Sequence, residues 1–509
     1  MFNHSKNLIR LAIVAKTLAN NDALWPLEQL GVAKPLVGIV RMLWRRKRSG
    51  RDGERLAMAL AALGPSFIKL GQALSVRSDV VGEEIALDLT KLQDSLEPFD
   101  SDEAIQTIEE ELGQPIDKLF ASFDRDAIAA ASIAQVHFAT TTDGEEVAVK
   151  ILRPGVRQQF ASDIKLFYWL AKMVERAMPA LKRLRPVEVV ARFEEWVTVE
   201  MDLRLEAAAA SELAENFVDD VQFHVPQVYW QYTAERVLTT ERIRGYRIDD
   251  IEGLTGAGYD IDAVLANSSR IFFLQVFRDG FFHADMHPGN MFVDHTGRLT
   301  PVDFGIMGRV SWKDRLFLAD MLVGFLARDY QKVADVHFEA GFVPPHKSRE
   351  AFCQALRAIG EPLLDRPLNE ISVGKLLAHL FQTTDEYDME TQPELLLLQK
   401  TMLVAEGVGR KLNPEVNMWM LARPLIEDWM IANRGPEARV REFLGDITTS
   451  IQRLPHILSQ AEVALDYATK NRQANPHQSI STAKLSGSNA LSVAAIILAV
   501  GAIAIAAIF

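Results

Sequence analysis

Hydrophobic positions along the chain recur first at helical spacing, then alternate, then return to helical spacing. Residues 7–19 (NLIRLAIVAKTLA) set Leu11, Val14, Ala15 and Leu18 on one helix face. In 64–79 (GPSFIKLGQALSVRSD), Pro65 suits the first turn of a helix, and Lys69 and Gln72 follow on one face. By spacing alone, such a pair predicts a solvated face. Helical patterns continue over 83–92 and 102–112, where Gly113 stops the run. From Ile128 the pattern alternates, and IAAASIAQVHFATTTDGEEVAVKILRP predicts two strands joined at Thr142-Asp143-Gly144, with Val147, Val149 and Ile151 on one side. Residues 156–178 and 186–217 read as long helices, the second carrying Glu200, Asp202 and Glu206, with Asp202 and Glu206 sharing a face at i, i+4. Strand character resumes at 227–230 and 236–241, and 262–282 reads as a helix. Two apolar runs, 291–293 and 299–302, flank the turn residues Asp294-His-Thr-Gly297 and predict a tight hairpin. The rest, to about residue 467, is helical.

Composition narrows the class. At 509 residues with 48% hydrophobic content, the chain has material for two or three packed domains. Its single cysteine, Cys353, excludes an internal disulfide, and a net charge of −13 argues against a general nucleic-acid binder. The N-terminal apolar run breaks at Lys16 without a small-residue cleavage site, so no signal peptide is expected. A basic cluster around Trp44 (41–51) suits either a membrane surface or a solvated loop. The nineteen residues 491–509, LSVAAIILAVGAIAIAAIF, carry no charge. As a helix they would extend about 28 Å against a hydrocarbon core of about 30 Å. They predict a single tail anchor, and Lys470, Arg472 and Lys484 before it place the catalytic part in the cytoplasm.

The chemistry concentrates in 281–305, FFHADMHPGNMFVDHTGRLTPVDFG. Asp285 and Asn290 lie five positions apart, and Asp303 opens Asp-Phe-Gly thirteen residues after Asn290, so the hairpin between them brings all three to one point. This is the layout of a kinase catalytic loop followed by a metal-binding aspartate. Phosphoryl transfer needs Mg²⁺ held by hard oxygen donors, here Asn290 and Asp303, while Asp285 can take or orient the proton of an attacking hydroxyl. His283 and His287 are four apart, but the glutamate of a His-Glu-x-x-His zinc helix is missing and Pro288-Gly289 follow, which argues against zinc. Val-Ala-Val-Lys150 matches the phosphate-gripping lysine of a kinase third strand, and one of Glu200, Asp202 and Glu206 should pair with it. In the place of a glycine-rich loop stand Ile128, Ala129, Ala130, Ala131, Ser132, Ile133, Ala134, Gln135 and Val136, whose Cβ atoms should let the backbone wrap phosphates less freely. Backbone groups at 240–243 are expected to bind adenine between two lobes. No Ala-Pro-Glu follows Gly305, because a helix begins by Asp314.

Together these motifs resemble the UbiB family of atypical kinase-like proteins, associated with ubiquinone biosynthesis. The resemblance covers about 7–467 and rests on Lys69-x-Gly71-Gln72, AAASIAQVH, Val-Ala-Val-Lys150, Glu200-x-Asp202 with Glu206, HADMHPGN and DFG. It implies an α+β, two-lobed protein-kinase-like fold with a helical N-terminal extension and a C-terminal transmembrane helix. The implied segments are an extension over 1–120, an N-lobe over 121–243, a helical C-lobe over 244–468, a linker over 469–489 and the tail anchor over 490–509. It further implies that Lys69 and Gln72 sit in an extension folded over the site where a peptide substrate would lie. Glu200 and Asp202 would meet that extension, Glu206 would pair with Lys150, and the Ala-rich loop would favour an unusual nucleotide preference. Bacterial members often carry two spans, and this chain has length for one. The expected ligands are ATP or ADP with Mg²⁺. The expected setting is the bacterial inner membrane, with ubiquinone-biosynthesis enzymes or quinone intermediates as partners, no nucleic acid, and a homodimer compatible with the sequence. Two other readings remain open: a small-molecule phosphotransferase of the aminoglycoside or choline kinase type, and a nucleotide-gated membrane scaffold without turnover.

Overall fold

The computed structural model describes residues 2–25, 49–75, 81–89, 92, 97–177, 186–361, 383, 386–389, 393–415 and 418–434. The chain divides into two compact units, Met1–Ile431 and Ala432–Phe509, and the first carries the site. Most of the basic cluster at 41–51, the linker 469–489 and the apolar tail 490–509 lie outside the described residues. Among the described ones, no helix is long and apolar enough to cross a membrane.

Helices α1 (Phe2–Asn20), α2 (Asp52–Leu63), α3 (Pro65–Ser75), α4 (Glu83–Leu89) and α5 (Ser101–Leu112) precede the sheet. Asp100 caps α5 by accepting from Asp102 N, and Gly113 ends it in the left-handed conformation. Strands β1 (Phe120–Phe123), β2 (Ala129–Ala130), β3 (Ala134–Thr141) and β4 (Glu146–Leu152) follow. They pair in the order β1-β3-β4-β5, with β2 on β3 and β5 spanning Val237–Glu241. The expectation of strands only from Ile128 thus missed β1, a four-residue strand that directly follows a single helical turn at Ile116–Leu119.

Alternation along β4 decides what each face does. Val147, Val149 and Ile151 are buried against Ala104 and Ile108 of α5, while Lys150, one residue out of phase, lies on the opposite face. After α6 (Val156–Ala177), the helix expected over 186–217 is two helices, α7 (Pro186–Glu200) and α8 (Leu203–Asn216). Asp202 breaks the run by turning its carboxylate onto Arg204 N as the cap of α8. Consequently Asp202 and Glu206 do not share one helical face as expected.

The extension shares a hydrophobic core with the sheet lobe. Leu56, Leu60, Phe67 and Ile68 pack in one cluster with Ile133, Leu152, Phe160, Leu203 and Leu238. Within the extension, Gly71 lets α3 pack closely on its neighbours, because a Cβ there would lie 2.4 Å from Leu92 Cδ1 and 2.8 Å from Leu60 Cδ1.

The second lobe starts at β6 (Gly245–Arg247) and runs through α9 (Ile251–Gly256) and α10 (Ile261–Phe273). The helix expected over 262–282 instead widens into a π turn at Leu274–Asp279 and ends at Gly280, giving way to β7 (Phe281–His283). The hairpin β8 (Met291–Asp294) and β9 (Leu299–Pro301) pairs Met291 with Pro301, and β10 (Met307–Arg309) pairs back onto β7. Asp294 holds the hairpin turn by accepting from Thr296 N and Arg298 N. Helices α11 (Trp312–Leu326), α12 (Tyr330–Glu339), α13 (Arg349–Gly360), α14 (Pro393–Leu412) and α15 (Met418–Arg434) complete the lobe. Its core joins Phe272, Phe277, Phe282, Met291 and Phe304 to Leu398, Val408 and Leu412 of α14.

Gly71→Ala is expected to lower stability by about 1–3 kcal/mol through overpacking. Chemical denaturation checks this, and an unchanged midpoint would show that α3 does not need the close approach.

Candidate functional site

Lys150 projects from the face of β4 opposite the α5 core and meets α8, where Glu206 Oε1 and Oε2 accept from its Nζ at 2.8 and 3.0 Å. Asp303 Oδ1 lies 3.1 Å from the same nitrogen. The backbone at Asp303 has φ of +64°, a region costly for most non-glycine residues but open to aspartate, and Gly305 N donates to its carboxylate at 3.2 Å. Glu206 also accepts from Phe304 N at 3.2 Å, which ties α8 to the Asp-Phe-Gly turn.

One ammonium between two carboxylates sets the electrostatics. Burial works against the charge on Lys150, but Asp303 and Glu206 outweigh it and hold the ammonium above the usual lysine range. Against the desolvation that the cleft imposes, Lys150 holds Asp303 well below the usual carboxylate range. Glu206 is pushed up to about 7, because burial and the Asp303 charge outweigh the help it draws from Lys150.

The second half of the site is the loop after β7. Asn290 Nδ2 donates to Asp285 Oδ2 and to Asp285 O, each at 3.1 Å, which fixes the carboxylate and leaves the Asn290 amide oxygen as its acceptor. His283 is buried and accepts from Asp285 N at 3.2 Å through Nδ1, and burial holds its imidazole below the usual range. His287 caps the loop locally by accepting from Gly289 N, so the two histidines serve loop geometry. Among the described residues, no group of three or more His, Cys, Asp or Glu is arranged to hold a metal. Asp303 and Asn290 instead offer two hard oxygens, a set that suits Mg²⁺ completed by phosphate oxygens and water. The two halves are joined where Val302 N donates to Asn290 O at 2.8 Å.

Residues that sequence reading missed support this arrangement. Gln275, in the π turn, accepts from His283 N at 2.8 Å, and Thr401 of α14 donates to Ala284 O at 3.1 Å. Neither carries a sequence signal, since helical periodicity runs on through both.

Lys69 is buried and forms an ion pair with Glu200, with its Nζ 5.8 Å from the Trp196 ring centroid. The solvated face expected from its spacing is therefore not what the chain builds. Gln72 is partly buried one turn further along α3. Asp202, expected from the resemblance to meet the extension, instead pairs with Arg204 at 2.7 Å. The capping geometry of α8 turns its carboxylate back onto its own helix.

Within the Ala-rich segment, Ala131 N donates to Ala134 O at 2.7 Å, closing the turn between β2 and β3. Arg153 fastens that turn through Ala131 O at 3.0 Å and reaches Glu97 O at 2.8 Å. Ser132, Ile133, Ala134 and Gln135 are buried, whereas Ile128 and Ala129 are exposed. Gln135 accepts from Phe99 N at 2.8 Å and bonds His137, so in this arrangement its side chain is engaged by the extension. At the expected hinge, Glu241 N donates to Gln227 O and Arg242 N to Glu146 O, which withholds both amides from adenine in this arrangement.

An ABC1 atypical kinase-like domain matches residues 91–337, and a UbiB helical domain matches 356–417. A probable protein kinase UbiB from Pseudomonas aeruginosa is 43% identical over 457 residues, 89% of this chain and 83% of the relative. The protein of the same description from Azotobacter vinelandii is 41% identical over 463 residues, 89% and 85% of the two chains. Among solved structures, the Mycobacterium tuberculosis protein Rv3197, in complex with erythromycin, aligns with a TM-score of 0.51 at 27% identity, covering 72% of this chain and 93% of the other.

Two expectations follow. Removing one member of the buried Lys69–Glu200 pair, as in Glu200→Gln, should cost about 3–5 kcal/mol, and replacing both by methionine should recover most of it; a double-mutant cycle in denaturant measures this. The folded chain keeps the Glu206 proton at pH values where an unfolded glutamic acid, near 4.5, has lost it. Its contribution is therefore fully present below that value and lost as the pH rises through about 7. Stability of the wild type relative to Glu206→Gln should fall between about pH 5 and 8, and a flat difference in melting temperature would contradict the burial argument.

Proposed function

The chain belongs to the UbiB family of atypical kinase-like proteins, and from that premise we propose that it binds Mg-ATP and works as a membrane-associated phosphotransferase or ATPase in support of ubiquinone assembly. The observation that carries this reading is the convergence of Asp285 and Asn290 with the Lys150, Glu206 and Asp303 cluster, joined through the Val302–Asn290 backbone bond.

In this reading Lys150, oriented by Glu206, grips the α- and β-phosphates. Asp285, steadied by Asn290, receives the proton of the attacking hydroxyl or water as the new oxygen–phosphorus bond forms. Asp303 and Asn290 would hold Mg²⁺, which neutralises charge on the phosphates when bound. Lys150 then exchanges Asp303 for phosphate oxygens while keeping Glu206. The uncharged tail at 491–509 would anchor the chain in the bacterial inner membrane, with the site on the cytoplasmic side.

A second reading is favoured by one observation. The Lys150–Asp303 pair at 3.1 Å engages the carboxylate that would take the metal, which suits a nucleotide-gated scaffold that opens its site only on binding.

Mutagenesis of the purified full chain separates the two. Asp303→Ala should lower Mg²⁺-dependent turnover by about 100-fold or more and weaken nucleotide binding; unchanged turnover would defeat the site assignment. Asp285→Asn should reduce turnover far more than affinity, since it removes a proton acceptor and no metal donor. Full complementation of a ubiquinone-deficient strain by Asp285→Asn would favour the scaffold.

A further inference from the structure

Beside Asp285 stands a cation from a distant part of the chain. Lys400, on α14, places Nζ 4.0 Å from Asp285 Oδ1, the oxygen opposite the one that accepts from Asn290. At that distance it is beyond hydrogen-bond reach of the carboxylate, so its donors are not committed to Asp285. Its side chain is 26% exposed, open enough for a ligand to reach.

The position is built. Thr401, the next residue, is 1% exposed and bonds Ala284 O, immediately before Asp285. Leu398, Val408 and Leu412 sink α14 into the core that also holds Phe282, Ala284 and Met286. Helix and loop therefore stay in register without the ion pair, and an ion pair this exposed would add little to stability. The loop itself, His283 to Asn290, contains no lysine or arginine.

Resting on the phosphotransferase reading above, we propose that Lys400 is a further catalytic residue, whose ammonium binds the transferring γ-phosphoryl group beside Asp285. As the acceptor or water oxygen bonds to phosphorus, its proton passes to Asp285 and the bond from phosphorus to the β,γ-bridging oxygen breaks. The leaving nucleoside diphosphate keeps the electron pair. Lys400 exchanges no proton: its charge meets the equatorial oxygens of the phosphoryl group beside Asp285, where that carboxylate alone would repel them. The helical segment that follows the kinase-like domain thus completes the kinase-like site, as an arginine finger does in other phosphoryl-transfer enzymes.

Steady-state turnover of Mg-ATP and equilibrium binding of Mg-ADP by the purified full chain test this. Lys400→Met should lower kcat by about 100-fold, with the Mg-ADP dissociation constant changed less than about twofold and the melting temperature held, and Lys400→Arg should restore most of the loss. If Lys400→Met keeps wild-type kcat while Asp303→Ala is inactive, the Lys400 proposal is overturned and the phosphotransferase reading stands. A loss that arginine does not recover also overturns it, because the lysine then acts by packing. Should Asp303→Ala turn over as fast as wild type, the underlying reading fails and the role of Lys400 falls with it.

Discussion

The site depends on one ammonium held between two acids that differ in what they can give up. Lys150 bonds both oxygens of Glu206, which is buried at the start of α8 and also accepts from Phe304 N, so that contact is anchored by two elements at once. Asp303 lies at the cleft surface, nearly half exposed. Buried partners are costly to separate, whereas a charge in contact with water can be resolvated. On the proposed reading, a nucleotide entering the cleft would therefore release Asp303 from Lys150 and leave Glu206 in place. The raised affinity of Glu206 for a proton comes first from its burial and then from the neighbouring Asp303 charge, which together outweigh the pull of Lys150.

That cluster stays in register because the helical extension is part of the lobe. Leu56, Phe67 and Ile68 share a core with Ile133, Leu152 and Leu203, and Lys69 pairs with Glu200 at the end of α7. Two residues later, Asp202 starts α8, which carries Glu206. A displacement of α3 would thus be felt at the hinge between α7 and α8, one turn from the glutamate that orients Lys150. The Ala-rich turn is tied to the same extension through Arg153 to Glu97 and Gln135 to Phe99. Loop mobility, which glycines would supply, is restricted by these bonds as well as by the alanine side chains.

How much of this was legible in the sequence follows from the range over which each signal acts. The hairpin between Asn290 and Asp303 was readable because its apolar runs and turn residues are local, and Lys150 stood out because alternation along β4 is a period of two. Helix interruptions were not readable. Periodic apolar residues continue through Met201-Asp202 and through Leu274–Asp279, and the breaks come from tertiary demands: capping of α8 in one case, the reach of Gln275 to His283 in the other. The partners of Gln135 were unreadable for a related reason, since proximity to the Ala-rich loop in sequence says nothing about the side of the turn its amide serves. The burial of Lys69 was likewise invisible to spacing, because a lysine on a helix face reads as solvated until its partner on another helix is known.

Thr401 bonds Ala284 across 117 positions of chain, and no local pattern announces such a contact. Its placement has a physical logic nonetheless. A catalytic loop five to eight residues long must hold an acid, an amide and a sharp turn at Pro288-Gly289, and its backbone groups are already engaged by His283, His287 and the hairpin. A cation inside that loop would sit within hydrogen-bond reach of Asp285 and occupy the carboxylate oxygen that Asn290 leaves open. A lysine delivered from a helix packed in the core is held at 4.0 Å, beyond direct hydrogen-bond reach of the carboxylate and close enough to share a bound anion with it. On the proposed reading the helical segment supplies the lysine charge, and the burial of α14 fixes where that charge stands.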